Sequence, residues 1–310
     1  MADIFEGSEA TFTPVAGDYI RAIDDPTGSP ISGNFTIAQL TTLLNTLIGG
    51  GPSTSGNVLT SDGTNWTSAA AAGGGGDWTT ATGTWSYSSA DAPTFVASVN
   101  ADMTTTIYPG HRLSLTQTTE KFFIVTAVGA YSGGNTLITM YGGTDYTLTA
   151  DAITTPKWSN VKVPSRFPMS PVKWTVSVTD ATQRSQATPT SLTWYNIGGA
   201  ACQIVIPIGI WKVRYIVNVQ TQGDTANGTN LRSTLSTANN SESDATMTGV
   251  FQIGNGAANN IHFVFEKARV LPLVSKTTYY LNGLTQYGGN TLYFRNDESA
   301  MLLEAVSAYL

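Results

Sequence analysis

The sequence predicts a mainly β protein in four parts: an extended N-terminal segment with one short helix (1–50), a Gly/Ser/Ala-rich linker (51–76), a small β barrel or sandwich (77–168) and a jelly-roll sandwich (169–310). Three observations predict it. From Asp77 onward, short apolar runs alternate with polar residues and are broken by Gly, Asn and Pro clusters, the pattern of strands and turns. Only 12% of the 310 residues are charged, about half the globular average, while Gly, Thr, Ser and Asn are plentiful, as in β-rich virion or extracellular proteins. Between Gly49 and Gly76 the chain reads GGGPSTSGNVLTSDGTNWTSAAAAGGGG, too poor in apolar side chains to fold alone and ending in a tetraglycine of maximal backbone freedom.

The N-terminal elements come first. Phe12, Val15, Tyr19, Ile20 and Ile23 are spaced by polar residues in an extended stretch, and Asp24–Pro30 reads as a turn. Thr36 with Gln39 forms a capping box, and Ile37, Leu40, Leu43, Leu44 and Leu47 make one helical stripe before Gly49 stops it. A helix of about 12 residues is marginal alone, so its leucine face must pack on something. That partner is either the β blocks of the same chain or, given the spacer, a bundle of sister chains or a socket in a larger particle.

The next block carries TWSYSS, TFVASV, HRLSLTQ, KFFIVTAV, NTLITMYG and DYTLTA as strands, with Thr118, Thr119 and Glu120 at a hairpin turn. Val163–Pro171 packs prolines densely and reads as a stiff connector at a domain boundary. Beyond it, about ten further strands in some 140 residues suit a jelly roll. In IWKVRYIVNVQ, Trp211, Val213, Tyr215, Val217 and Val219 point one way; Ile210, Lys212, Arg214, Ile216 and Asn218 point the other. The final strand is apolar on both faces: Met301, Leu303, Ala305, Ser307 and Tyr309 face a core, leaving Leu302, Val306, Ala308 and Leu310 for sister subunits.

Composition also excludes. A net charge of −6 with 15 dispersed Lys and Arg gives no footprint for nucleic acid. The first residues lack a secretion signal and about 18 apolar residues never run together, so neither export nor membrane insertion is expected. The single Cys202 sits in an apolar run as a small hydrophobe. His111 and His262 belong to strand-like runs without a triad or HExxH pattern, so neither a catalytic site nor a metal site is expected. Gly73–Gly76 lacks the Lys-Ser/Thr of a phosphate loop, and no cofactor is expected. Asp224, Glu242, Asp244, Asp297 and Glu298 fall in polar loops, where a glycosidase pair is the enzymatic alternative.

Three segments resemble virion proteins of tailed bacteriophages. GDYIRAIDDPTGSPISGNFTIAQLTTLL, continued by SGNVLTSDGTNWTSA, is similar to the N-terminal opening of phage fibre and decoration proteins. GTWSYSSADAPTFVASVNADMTTTIYPGHRLSLTQTTEKFFIVTAV through GGTDYTLTADAITTPKWSN resembles a β module of phage fibres. CQIVIPIGIWKVRYIVNVQ and LYFRNDESAMLLEAVSAYL resemble the trimeric jelly rolls of the complement and tumour necrosis factor class. The resemblance implies a non-enzymatic homotrimer, made in the host cytoplasm and built into the virion, that grips capsid, neck or tail proteins by its N-terminus. Its loops offer Asn227, Asn239, Asn240, Asn259 and Tyr287 as candidates for binding host-surface glycan. The alternatives are a purely architectural collar, tail or capsid cement protein and a surface-glycan hydrolase.

Overall fold

The computed structural model describes residues 19–21, 34–36, 57–61, 66–70, 77–222, 229–253, 260–286 and 290–310. They fall into two compact units, Met1–Gly76 and Asp77–Leu310. In the first, β1 (Tyr19–Arg21) pairs antiparallel with β2 (Asn34–Thr36), and β3 (Asn57–Ser61) with β4 (Trp66–Ala70). The expected linker thus contains a hairpin. Its sequence supplies the reason, since Asp62-Gly63 is a strong hairpin signal between β-forming residues. The helix expected after Thr36, with Ile37, Leu40, Leu43, Leu44 and Leu47, lies outside the described residues.

The second unit begins with one antiparallel sheet. Its strands are β5 (Thr79–Thr80), β6 (Trp85–Asp91), β7 (Thr94–Val99), β8 (Arg112–Gln117), β9 (Thr119–Val128), β10 (Thr136–Tyr141) and β11 (Thr154–Ser159), in the order β5-β11-β8-β9-β10-β7-β6. Leu113, Leu115, Phe123, Val125, Ile138 and Met140 project from one face into a fully buried cluster, closed by Met103 and Ile107 from the β7–β8 connection.

Two details correct the sequence reading. Asp145–Ala150 forms no strand: Gly143, at φ +63°, turns the chain, Tyr146 N donates to Gly142 O, and Leu148 drops into the cluster. Instead β11 closes this side of the sheet. It carries Pro156, a residue that argues against a strand, within a register shift between Thr154 and Lys157 that accommodates it.

The sandwich follows. Its strands are β12 (Thr175–Asp180), β13 (Arg184–Gln186), β14 (Trp194–Tyr195), β15 (Gln203–Ile206), β16 (Gly209–Gln222), β17 (Thr229–Ser236), β18 (Thr248–Ile253), β19 (Asn260–Leu273), β20 (Thr277–Thr285), β21 (Leu292–Phe294) and β22 (Met301–Ser307). One sheet runs β12-β22-β16-β19, with β21 and β13 beside the far end of β16; the other runs β15-β20-β17-β18, with β14 also on β20. First strand pairs with last, and β15 with β20, so the chain's ends and middle are laced together by antiparallel pairing. Along β16 the expected alternation holds, since Trp211, Val213, Tyr215, Val217 and Val219 are at most 1% exposed. Tyr215 Oη donates to Ser233 O at 2.8 Å, tying the two sheets through the core.

β9 explains how the two β blocks join. Phe123 and Val125 enter the small sheet's own cluster, while Phe122 and Ile124 on the other face join Tyr141, Phe167, Trp174 and Trp211 in the core that fills the sandwich. The proline-rich connector is packed into that core: Phe167 stacks on Trp174 at 5.0 Å, and Trp174 Nε1 donates to Pro168 O at 2.6 Å. Tyr141 meets Trp211 edge-on at 5.0 Å.

Candidate functional site

Strand direction decides which loops can act together. β16 ends at Gln222 opposite Asn260 at the start of β19, and Thr229 of β17 lies opposite Ile253 of β18. Leu231 pairs with Thr285 at the end of β20. The strands flanking 223–228, 254–259 and 287–289 therefore all terminate at one end of the sandwich. Asn227, Asn259 and Tyr287 belong to these segments and lie outside the described residues.

Asn239 and Asn240 belong to the opposite end, on the β17–β18 connection. Asn240 stands at φ +54°, accepts from Asn196 N through Oδ1 at 2.6 Å, and donates its own N–H to Asn282 Oδ1 at 3.3 Å. The fully buried Asn282 in turn donates to Ala238 O and Ser241 O at 3.0 and 2.7 Å. Asn240 is thus engaged in holding its own loop, and Asn239 is exposed beside it. Among the described candidates, Asn239 and Asn240 thus lie at the end opposite the strands that flank the other three.

At the Gln222 end of β16, the sheet face carries an ionic network that sequence reading did not assemble. Arg295 Nη1 donates to Gln220 Oε1 at 2.6 Å, its Nε to Asp297 Oδ1 at 3.1 Å, and its Nη2 reaches Glu298 Oε1 at 2.7 Å. Glu298 Oε2 faces His262 Nδ1 and Asn218 Nδ2, each at 3.3 Å. Hydrogen bonding from Arg295 holds the Asp297 carboxyl below its ordinary range. Asp297 is thus held in its ionised form, the opposite of a raised, protonated general acid. The residues are scattered over β16, β19 and the β21–β22 connection, so only the fold reveals them.

Other reactive groups are spent structurally. Burial pushes the Cys202 thiol up to about 12, leaving it protonated and inert. His111 stacks on Trp158 at 5.2 Å, and burial, then the charge of Arg112, lowers its pKa. Among the described residues no group of His, Cys, Asp and Glu is arranged to hold a metal ion, and no helix is long and apolar enough to cross a membrane.

The residues of the last strand expected at subunit contacts stand as follows in the described chain. Leu302 lies between Thr179 and Ile216, and Val306 between Thr175 and Lys212, on the outward face of the β12-β22-β16-β19 sheet. Both are half-buried, and Val264 and Val270 on β19 extend the apolar area at 51% and 53% exposure. Arg214 and Glu304, paired at 2.9 Å, sit in its middle. Past β22, Ala308 N donates to Ile210 O at 2.9 Å, and Leu310 packs against the sandwich core.

No protein-family model matches the chain, and no curated protein matches it. Among solved structures it is weakly similar to infectious bursal disease virus particles. The Gx strain structure aligns at 11% identity and TM-score 0.24, over 73% of this chain and 59% of that one. The VP2 subviral particle aligns at 11% and 0.22, over 72% and 62%, and the T13 particle at 11% and 0.22, over 81% and 66%. The chain therefore spans about three fifths to two thirds of these proteins' length.

Proposed function

We propose that the chain is a non-catalytic structural protein of a tailed-bacteriophage virion: a homotrimeric fibre or decoration protein that grips the particle through residues 1–50 and binds host-surface glycan through its jelly-roll head. The observation that carries this reading is the polarity of the second unit. Its first residue, Asp77, accepts from Ser165 N at 2.7 Å, and its last strand leads to Tyr309, whose carbonyl accepts from Arg112 at 2.7 Å. Both ends of the unit thus lie beside the small sheet. The segments 223–228, 254–259 and 287–289 depart from the far end of the sandwich. A tethered display head has this layout, with connecting segments remote from the attachment.

The outward face around Leu302 and Val306 offers sister subunits an apolar surface with an internally neutralised ion pair at its centre, which suits a subunit core. Three weak sites on one trimer would act by avidity, without any site being strong.

Light scattering on the full chain at micromolar concentration tests the assembly. A threefold mass is expected, falling to the monomer in Leu302→Glu; a monomeric mass for the unaltered chain overturns the trimer. An array of bacterial surface polysaccharides tests attachment. Binding that is lost when 254–259 are shortened supports it, whereas silence across the array favours the architectural cement reading.

A further inference from the structure

Tyr108-Pro109-Gly110-His111 is a sequence built to reverse the chain. Proline presets φ at the second position of a turn, and Gly110 supplies the positive φ, +96°, that the third requires. His111 N closes the turn on Tyr108 O at 3.1 Å, and the His111 ring reaches back so that Tyr108 N donates to Nδ1 at 3.4 Å. A backbone N–H can only donate, so Nδ1 is an acceptor and the ring is neutral, with its proton on Nε2. The chain end rests on this turn. A Cβ on Gly110 would stand 3.0 Å from Tyr309 Cδ1, so the glycine lies directly against that ring. Gly110 O also accepts from Arg112 Nη1 at 2.6 Å, and the same guanidinium holds Tyr309 O at 2.7 Å.

The groups around the ring decide what a proton does there. From the turn, Tyr108 meets it edge-on at 5.6 Å; from β11, Trp158 stacks on it at 5.2 Å, while Lys157 points to the other face of the sheet. From β9, Val125 N donates to His111 O at 2.9 Å. From β8, Arg112 adds a positive charge, the one charge among the described residues that acts on this titration. Burial first, and then Arg112, lower the pKa, so folding favours the neutral ring. A free histidine titrates near ~6.5; the preference is therefore fully present above that pH and is lost as pH falls through the lower folded value. Trp158 does not oppose the change, since an aromatic face holds an imidazolium as well as an imidazole. We propose that the Tyr108–His111 turn is an acid-sensitive latch: protonation of Nδ1 turns the acceptor into a second donor facing Tyr108 N–H, opens the turn, and loosens residues 308–310 from Gly110 and Arg112. This device goes beyond the display reading and does not rest on it.

Hydrogen–deuterium exchange of the full chain, corrected for the intrinsic pH dependence of amides, tests the latch at pH ~7.5 and ~5, either side of the free-histidine value. Residues 108–112 and 308–310 should exchange about tenfold faster at the lower pH, the loss of one hydrogen bond, while 231–236 stay unchanged. His111→Asn places an amide oxygen where Nδ1 stands and cannot titrate, so both segments should stay protected at both pH values. His111→Phe keeps a ring on Trp158 but offers no acceptor, so both should exchange fast at both. In the unaltered protein, NMR shifts of the His111 ring and the Tyr108 amide should titrate with one shared midpoint. A pH effect that persists in His111→Asn, its absence from the unaltered protein, separate NMR midpoints, or faster exchange at 108–112 with 308–310 unmoved would each overturn the proposal.

Discussion

Arg112 is a fully buried guanidinium that reaches carbonyls: Nη1 donates to Gly110 O at 2.6 Å, and Nη2 to Lys162 O at 3.1 Å and Tyr309 O at 2.7 Å. Its charge lies 5.1 Å from the Phe167 ring centre. It therefore joins the small sheet, the connector and the chain end in one clasp. Replacing it with Met removes the donors and leaves buried carbonyls unpaired, a loss of about 3 kcal/mol. For a unit of this size that lowers Tm by roughly 6–12 °C, measurable by calorimetry. Arg112→Lys should recover little, because a single ammonium lacks the planar fork.

Asp180 makes a second prediction at this scale. It is 9% exposed and accepts from Arg184 at 2.8 and 3.0 Å and from Asn296 at 2.9 Å. Chiefly the Arg184 hydrogen bonds, with help from Asn296, lower its pKa to about 2. An unfolded aspartate titrates near ~3.9, so the folded state favours the ionised form by about 2–3 kcal/mol. This contribution is present above pH ~4 and lost as pH falls towards about 2. Melting curves of Asp180→Asn and the unaltered protein should therefore differ most at neutral pH and converge at the acid end. A constant gap between pH 6 and pH 2 would refute the linkage.

Among elements, the β8–β9 hairpin is closed by a single residue, Thr118, at φ +60° between paired Gln117 and Thr119. A β-branched residue in the left-handed region costs about 1–2 kcal/mol, and Thr118 is exposed. Thr118→Asn should raise stability by about 0.5–1 kcal/mol, read from urea midpoints at unchanged m-value. The hairpin's existence was legible, since TEKFFIVTAV follows RLSLTQ with a polar break. Its strained turn was not, because nothing in a Thr-Thr pair signals positive φ. The same boundary separates success from failure elsewhere. β16 and β22 announce themselves by alternation over many residues, whereas β11 hides behind Pro156 and Asp145–Ala150 imitates a strand that Gly143 prevents. The polar constellations stayed hidden too: Asn240 looks like any turn asparagine until Asn196 and Asn282 are seen to hold it.

For the molecule as a whole, the decisive fact is that one core serves two β blocks. Sequence periodicity identifies that Phe122 and Phe123 lie on opposite faces of β9, but it does not say which neighbour covers the second face. The connector's prolines suggest a boundary, yet Phe167 and Trp174 turn that stretch into the cement between the blocks. Cutting there would expose Phe122, Ile124 and Tyr141 on one side and Trp174 and Trp211 on the other, all now at most 7% exposed. Losing burial of large aromatic side chains costs about 1.5–3 kcal/mol apiece, so several such losses rival the 5–15 kcal/mol that stabilises a typical domain. Residues 169–310 expressed alone should therefore lack the near-ultraviolet circular dichroism of packed aromatic rings and bind hydrophobic dyes. Residues 77–310 should instead melt in one transition whose calorimetric and van't Hoff enthalpies agree. Two well-separated transitions, or a natively packed 169–310 fragment, would show that the blocks are independent and that the shared aromatic layer contributes little.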